Sequence, residues 1–208
     1  QMDSCIKEAK LQGISFSVLS REGFSKKFKD IKTHICLERD KVSYVDPDLF
    51  LEKIRNAKNP LICCFDGIFD PQNLGNIARS AACFRIDGII LPKDRSCGIT
   101  DTVSNIARGA LEHLDVVRVV NLSRYIDRLK EVGIFCYGLD EKASVALCDI
   151  DLTGPVCLVF GSEEGLRRLT REKCDGTARI QTSDLFPSLN VATCFAVASY
   201  EVSRQRKS

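Results

Sequence analysis

Histidine is scarce in this chain: among 208 residues only His34 and His113 offer an imidazole. A zinc site would therefore have to be built almost wholly from cysteine, yet the eleven cysteines include no CxxC pair and their count is odd. No structural metal is expected. Cys63, Cys64, Cys136, Cys157 and Cys194 instead sit inside apolar runs (LICCF, IFCYG, VCLVF, ATCFAVA), where cysteine behaves as a small buried hydrophobe. That placement favours a reducing, cytoplasmic setting over a disulfide framework. No apolar run approaches the ~20 residues that cross a bilayer, and no stretch reads as a signal peptide, so no membrane partner is expected. The single methionine is Met2, behind Gln1, a start expected of a trimmed chain. Net charge is low as well, at +2, which excludes a whole-molecule polyelectrolyte grip on nucleic acid. RNA, if bound, must meet a local basic patch or shaped loops.

Hydrophobic residues make up 44% of the chain and charged ones 28%, enough to build a core without staples. The first third predicts a helix over 4–12 stopped by Gly13, a strand at ISFSVLS (14–20), a helix over 21–31 and a strand pair around 33–45. Asp46-Pro47 reads as an N-cap followed by proline at the first helical position. From there apolar runs alternate with amphipathic helices: PLICCFD, NLGNIARSAACF, DGIILP, TDTVSNIARGAL, LDVVRVV, NLSRYIDRLKEVG, IFCYGL, VCLVFG, ARIQ and a last helix from about Ser188 to Arg206. Such alternation argues for an α/β fold on a parallel sheet. The expected division is 1–47 and 48–208. Val191, Phe195 and Val202 make the last helix too apolar for one face, so part of it should cover the sheet and the remainder should meet a partner.

Three segments follow predicted strands, where open α/β sheets place ligands. In DPQNLGNIARSA, Pro71 and Asn73 can start a helix and Gly75 and Ala78 give it a thin packing face. Asn76 and Arg79 share another face, fit either for a phosphate or ribose or merely for solvent. In VFGSEEGL, Gly161 suggests a ligand resting on bare backbone, with Glu163 as a hydrogen-bond acceptor; a plain strand-to-helix turn would look the same. In SLNVA, Ser188 reads as the N-cap of the last helix. There is no P-loop, and no GxGxxG follows the first strand of the α/β part, so an NTPase or a dinucleotide dehydrogenase is disfavoured.

Together the three segments resemble the motifs of the SpoU (TrmH-like) family of the SPOUT superfamily, over roughly residues 58–206. The third motif is the pattern from Ile180 to Val191. The resemblance implies an RNA ribose 2′-O-methyltransferase that uses S-adenosylmethionine, works as a homodimer, and has its chain end threaded into a trefoil knot. By the same resemblance Arg79 would be the catalytic arginine, with Asn73, Glu163, Ser188 and Asn190 completing the site. Leu139, Gly161, Ile180, Leu189 and Asn190 would contact the methyl donor, and the Gly138–Asp140 strand end would line it. Where the family usually follows its third-motif isoleucine with Pro-Met and then a glycine, Gln181, Thr182 and Asp184 stand here. The first 47 residues are similar to part of an L30e-like RNA-binding module, a layout that suits enzymes modifying a guanosine of large-subunit (23S) rRNA. A transfer RNA substrate is the alternative within the family. A non-catalytic RNA-binding or assembly protein of the same fold is the alternative outside it. A ribose hydroxyl is a weak nucleophile and needs alignment and help with its proton. Arginine is an unusual base because its guanidinium stays protonated, so it can equally act by gripping a neighbouring phosphate.

Overall fold

The computed structural model describes residues 2–28, 35–36, 43–162, 164–183, 185 and 188–207. Two compact units divide between Lys41 and Val42. In the first, α1 (Met2–Leu11) and α2 (Arg21–Lys27) are the regular elements among the described residues. Gly13 ends α1 at φ +66, and Ile14 N–H reaches back to the Ala9 carbonyl at 2.8 Å, closing the helix as a left-handed glycine does. Ser20 caps α2 by accepting from Gly23 N. The strand expected over 14–20 is not formed. Ile14, Phe16 and Val18 alternate as a strand's residues would, but they are exposed and pair with no described strand. The strand pair expected around 33–45 falls largely outside the described residues.

The second unit is a six-stranded, all-parallel sheet: β1 (Leu61–Asp66), β2 (Gly88–Pro92), β3 (Asp115–Val119), β4 (Phe135–Leu139), β5 (Val156–Gly161) and β6 (Gly176–Ala178). Their order is β3-β2-β1-β5-β4-β6. The chain walks outward from β1 to β3, crosses to β4, and returns to lay β5 between β1 and β4. Val45 adds an isolated parallel bridge to Val117. Helices α3 (Pro47–Arg55) and α6 (Leu122–Glu131) cover one face. Helices α4 (Pro71–Cys83), α5 (Asp101–Ala107) and α8 (Val191–Gln205) cover the other. A short α7 (Arg168–Lys173) follows β5.

Strands buried on both faces sort their side chains by parity. Cys63, Phe65, Leu158 and Phe160 point to the α4/α8 side, and Ile62, Cys64, Cys157 and Val159 to the α3/α6 side. On the first side Phe65 stacks on Phe160 at 5.1 Å, and Phe195 of α8 closes the triad at 5.6 Å from each. On the second, the Cys64 and Cys157 sulfurs lie 3.4 Å apart, with Cys136 beside them in the same layer.

Local signals explain most helix starts. Asp46 accepts from Asp48 N and Leu49 N ahead of Pro47, and Asp70 accepts from Gln72 N ahead of Pro71. A Cβ at Gly75 would sit 2.6 Å from the Ile106 side chain, so the thin face of α4 is spent on α5. Three expectations need correction. The strand read at 178–181 lies at 176–178, because β4 ends at Leu139 and Ala178 is its last partner. The last helix starts at Val191 rather than Ser188, because the Asn190 side chain caps it through Ala192 N at 2.9 Å. Phe195 and Val202 are fully buried within the chain itself, leaving Val197 and Tyr200 as the exposed large apolar residues of α8.

Candidate active site

The carboxyl ends of β4 and β5 and the segment after β6 converge on a cavity of about 470 Å³. Three stretches line it: Leu139–Lys142 at the end of β4, Gly161, Ser162, Glu164 and Gly165 at the end of β5, and Ile180 with Thr182 and Ser188–Val191 ahead of α8. Asn73 enters from the first turn of α4 and Cys194 from that of α8. All five residues expected to contact a donor (Leu139, Gly161, Ile180, Leu189 and Asn190) line this one space, as do Asn73 and Ser188. Gly138 does not line it. A Cβ there would meet the Leu166 side chain at 2.6 Å, on the side of the thiol layer.

The first and third segments touch directly. Asn190 Nδ2 donates to Asn73 Oδ1 at 3.0 Å, while Asn190 Oδ1 is engaged in capping α8. Ser188 is exposed at the cavity rim and plays no part in the cap. Arg79 lies one and a half turns along α4 from Asn73, exposed, outside the cavity lining, and free of hydrogen bonds and ion pairs among the described residues. Glu163 and Asp184 lie outside the described residues.

The Gly161 expectation needs revision. A Cβ at this position would lie 2.2 Å from the Gly165 carbonyl carbon and 2.5 Å from Leu166 N. The bare backbone is required by the chain's own turn, before any ligand enters. Gly165, at φ +87, supplies the left-handed residue that closes that turn, and Gly165 N–H donates to the Ser162 carbonyl at 2.9 Å.

Two ion pairs missing from the sequence reading hold the strand ends, one of them within the cavity wall. Asp66, buried at the end of β1, accepts from Arg167 Nε at 2.6 Å, from its Nη2, and from its backbone N at 3.2 Å. The carboxylate raises the Arg167 pKa further and ties the exit of the β5 turn to β1. Arg171 of α7 pairs with Asp140, whose side chain is nearly buried, and both residues line the cavity. An acidic residue closing the apolar run LICCFD was the available signal for Asp66; nothing local marks its partner 101 residues away. Cys194 is held as a neutral thiol, its pKa pushed up to about 11 by burial. Among the described residues no group of three or more His, Cys, Asp or Glu side chains is placed to hold a metal ion, and no helix is long and apolar enough to cross a membrane.

Comparison with known proteins agrees with this geometry. The sequence profile of the SpoU rRNA Methylase family matches residues 60–200. A 23S rRNA (guanosine-2'-O-)-methyltransferase, RlmB, of Coxiella burnetii is 37% identical over 209 residues, covering 100% of this chain and 84% of that protein. The RlmB of Xylella fastidiosa strain 9a5c is 45% identical over 147 residues, 70% of this chain and 59% of its own length. Among solved structures, the SpoU methyltransferase AviRb from Streptomyces viridochromogenes in complex with AdoMet superposes with a TM-score of 0.69 at 30% identity, over 76% of this chain and 62% of that one.

Proposed function

Because the chain belongs to the SpoU rRNA Methylase family, we propose that it methylates a ribose 2′-hydroxyl of RNA with S-adenosylmethionine, the acceptor being a guanosine of large-subunit rRNA. The observation that carries the reading is the Asn190–Asn73 hydrogen bond at the mouth of a cavity of donor size, which joins two motif segments 117 residues apart. The donor, when bound, supplies an electrophilic methyl group on a sulfonium. Leu139, Ile180, Leu189 and Val191 give the cavity apolar walls that exclude water, and the backbones of Leu139–Lys142 and of Gly161, Ser162, Glu164 and Gly165 offer polar groups for orientation. Asn73, Ser188, Asn190 and Glu163 hold the acceptor side. Arg79 grips the phosphate next to the reacting ribose and so favours loss of the hydroxyl proton.

The finer parts of the reading rest on separate supports. A homodimer is favoured because Arg79 is exposed and does not line its own cavity. Helix α8, which packs against α4, leaves Val197 and Tyr200 exposed, and a second subunit seated on them would bring a further surface to the site. The trefoil knot is favoured by the cavity being assembled from the loops after β4 and β5 and the segment before α8. An L30e-like RNA-binding role for residues 1–47 is favoured by the Coxiella relative, which aligns over the whole chain. A reducing cytoplasm suits eleven unpaired cysteines, two of them 3.4 Å apart and unjoined.

The test is transfer of labelled methyl from S-adenosylmethionine to in vitro-transcribed 23S rRNA, with the modified position mapped by its resistance to alkaline cleavage. Incorporation at one ribose is expected. Arg79→Ala should abolish it, a loss of at least about a hundredfold for a transition-state contact, with donor affinity within a few-fold of wild type. Absence of transfer to 23S rRNA alongside transfer to tRNA would move the substrate. Absence of both would reject the activity.

A further inference from the structure

The connection that follows β5 has two sides. Gly161, Ser162, Glu164 and Gly165 line the donor cavity, while Arg167–Thr170 line a second cavity of about 360 Å³. The remaining walls of this second space come from the end of β2 (Pro92, Asp94, Arg95) and the entry to α6 (Val120–Ser123). Three arginines face it against one acid, Asp94. Arg167 is fixed by Asp66 through Nε and Nη2. Arg168 pairs with Glu172 at 2.7 Å, but both partners are exposed, so that pair is weak and yields readily to a stronger anion. Arg95 is exposed and makes no hydrogen bond or ion pair among the described residues. Its backbone is held at φ +66, a conformation that a side-chain-bearing residue rarely keeps without a reason.

The opposite character is present in the same space. Val120 is 75% exposed and Leu169 57% exposed, two aliphatic side chains presented to solvent beside the guanidinium groups. Asn121 engages Arg124 N, while the N–H groups of Leu122 and Ser123, also at the wall, have no partner within the helix. A ligand suited to this lining carries an anion at one end and a flat apolar surface at the other.

We propose that this cavity binds a nucleotide of the RNA strand neighbouring the methylated one, its phosphodiester between Arg95 and Arg168 and its sugar or base against Val120 and Leu169. The assignment rests on the RNA methyltransferase reading, and it adds a substrate subsite to it. The shared connection gives the two spaces a structural link: a strand whose reacting ribose sits at the Gly161 side runs along the β5 turn to reach the Arg167 side.

The test is binding of in vitro-transcribed 23S rRNA to the full chain across a salt series, alongside calorimetric titration with S-adenosylmethionine. The Arg95→Ala/Arg168→Ala double variant should weaken RNA binding about tenfold and lower the slope of log K against log salt by about one, as expected for loss of a phosphate contact. Donor affinity should stay within about twofold, since neither residue lines the donor cavity. Arg95→Gly removes the side chain while relieving the left-handed backbone, and should weaken RNA binding without lowering the melting temperature. Unchanged RNA affinity and slope in both variants would overturn the proposal. So would an Arg95-dependent rise in melting temperature with inorganic phosphate alone and no Arg95-dependent RNA binding, which would mark a free-anion site. Lack of methyl transfer by the wild type would strike the enzymatic reading and leave arginine-dependent RNA binding standing as a separate result.

Discussion

The two faces of the sheet are built from the same six strands but packed in different ways. The α4/α8 face is locked by three interleaved aromatic rings, Phe65, Phe160 and Phe195, and the helices it holds carry Asn73 and Asn190 to the cavity. The α3/α6 face is filled in the centre by small sulfur-bearing side chains, Cys64, Cys136 and Cys157, with Phe50, Ile126 and Leu129 around them. Large rings fix helix positions through many contacts each, whereas thiols fill space without dictating it. The face that must hold two asparagines at hydrogen-bond distance is the one packed with rings.

The comparison can be broken first on the aromatic side. Phe195→Ala should destabilise the fold by roughly 3–5 kcal/mol and abolish S-adenosylmethionine-induced stabilisation, because the cavity left behind loosens the start of α8. Thermal melts with and without donor measure both. Retained donor stabilisation would mean that α8 is held by something other than the ring triad. On the thiol side, Cys157→Ser should cost about 1–3 kcal/mol by burying a hydroxyl among apolar neighbours, while the donor-induced shift in melting temperature persists. Loss of that shift would show that the two faces are not separable. The smallest effect is alkaline. Burial raises the pKa of Cys194 from 9.0 to about 11, so the neutral thiol's contribution is complete below about pH 9 and is lost as the pH rises towards 11. Cys64 and Cys157 are raised in the same direction by the same cause. Stability should therefore fall above about pH 9, and Cys194→Ala should flatten the fall by at most ~1.4 kcal/mol per pH unit. Superimposable pH profiles of variant and wild type would contradict this.

What could be read in the sequence was what is encoded locally. The apolar runs at 61–66, 88–92 and 156–161 became strands, Asp46-Pro47 opened α3, and Gly75 marked the close approach of α4 to another helix. The cavity residues could be named through the resemblance of three segments to the SpoU motifs, and Asn73, Leu139, Gly161, Ile180, Leu189 and Asn190 do share one cavity. What escaped depends on partners distant in the chain. Ile14, Phe16 and Val18 have the alternation of a strand, but alternation says nothing about whether a second strand is there to pair with. The Asp66–Arg167 pair spans 101 residues, and α7 is too short to show a helical period. Gly161 was assigned to the ligand because sequence shows only the missing side chain, not the Gly165 backbone that occupies its place.

An amide side chain has a direction, and the Asn190–Asn73 contact transmits it. Asn190 cannot turn over without surrendering the cap of α8, since only its oxygen can accept from Ala192 N. Its nitrogen must therefore face Asn73, which commits the Asn73 oxygen as acceptor. The Asn73 amide nitrogen is then left pointing the other way, as a donor with two hydrogens and a settled orientation. A helix cap thus sets the polarity presented to the cavity. Aspartate at position 190 would cap the helix as well as asparagine does, yet it would repel the Asn73 oxygen and turn that amide over, presenting an acceptor where the asparagine pair presents a donor.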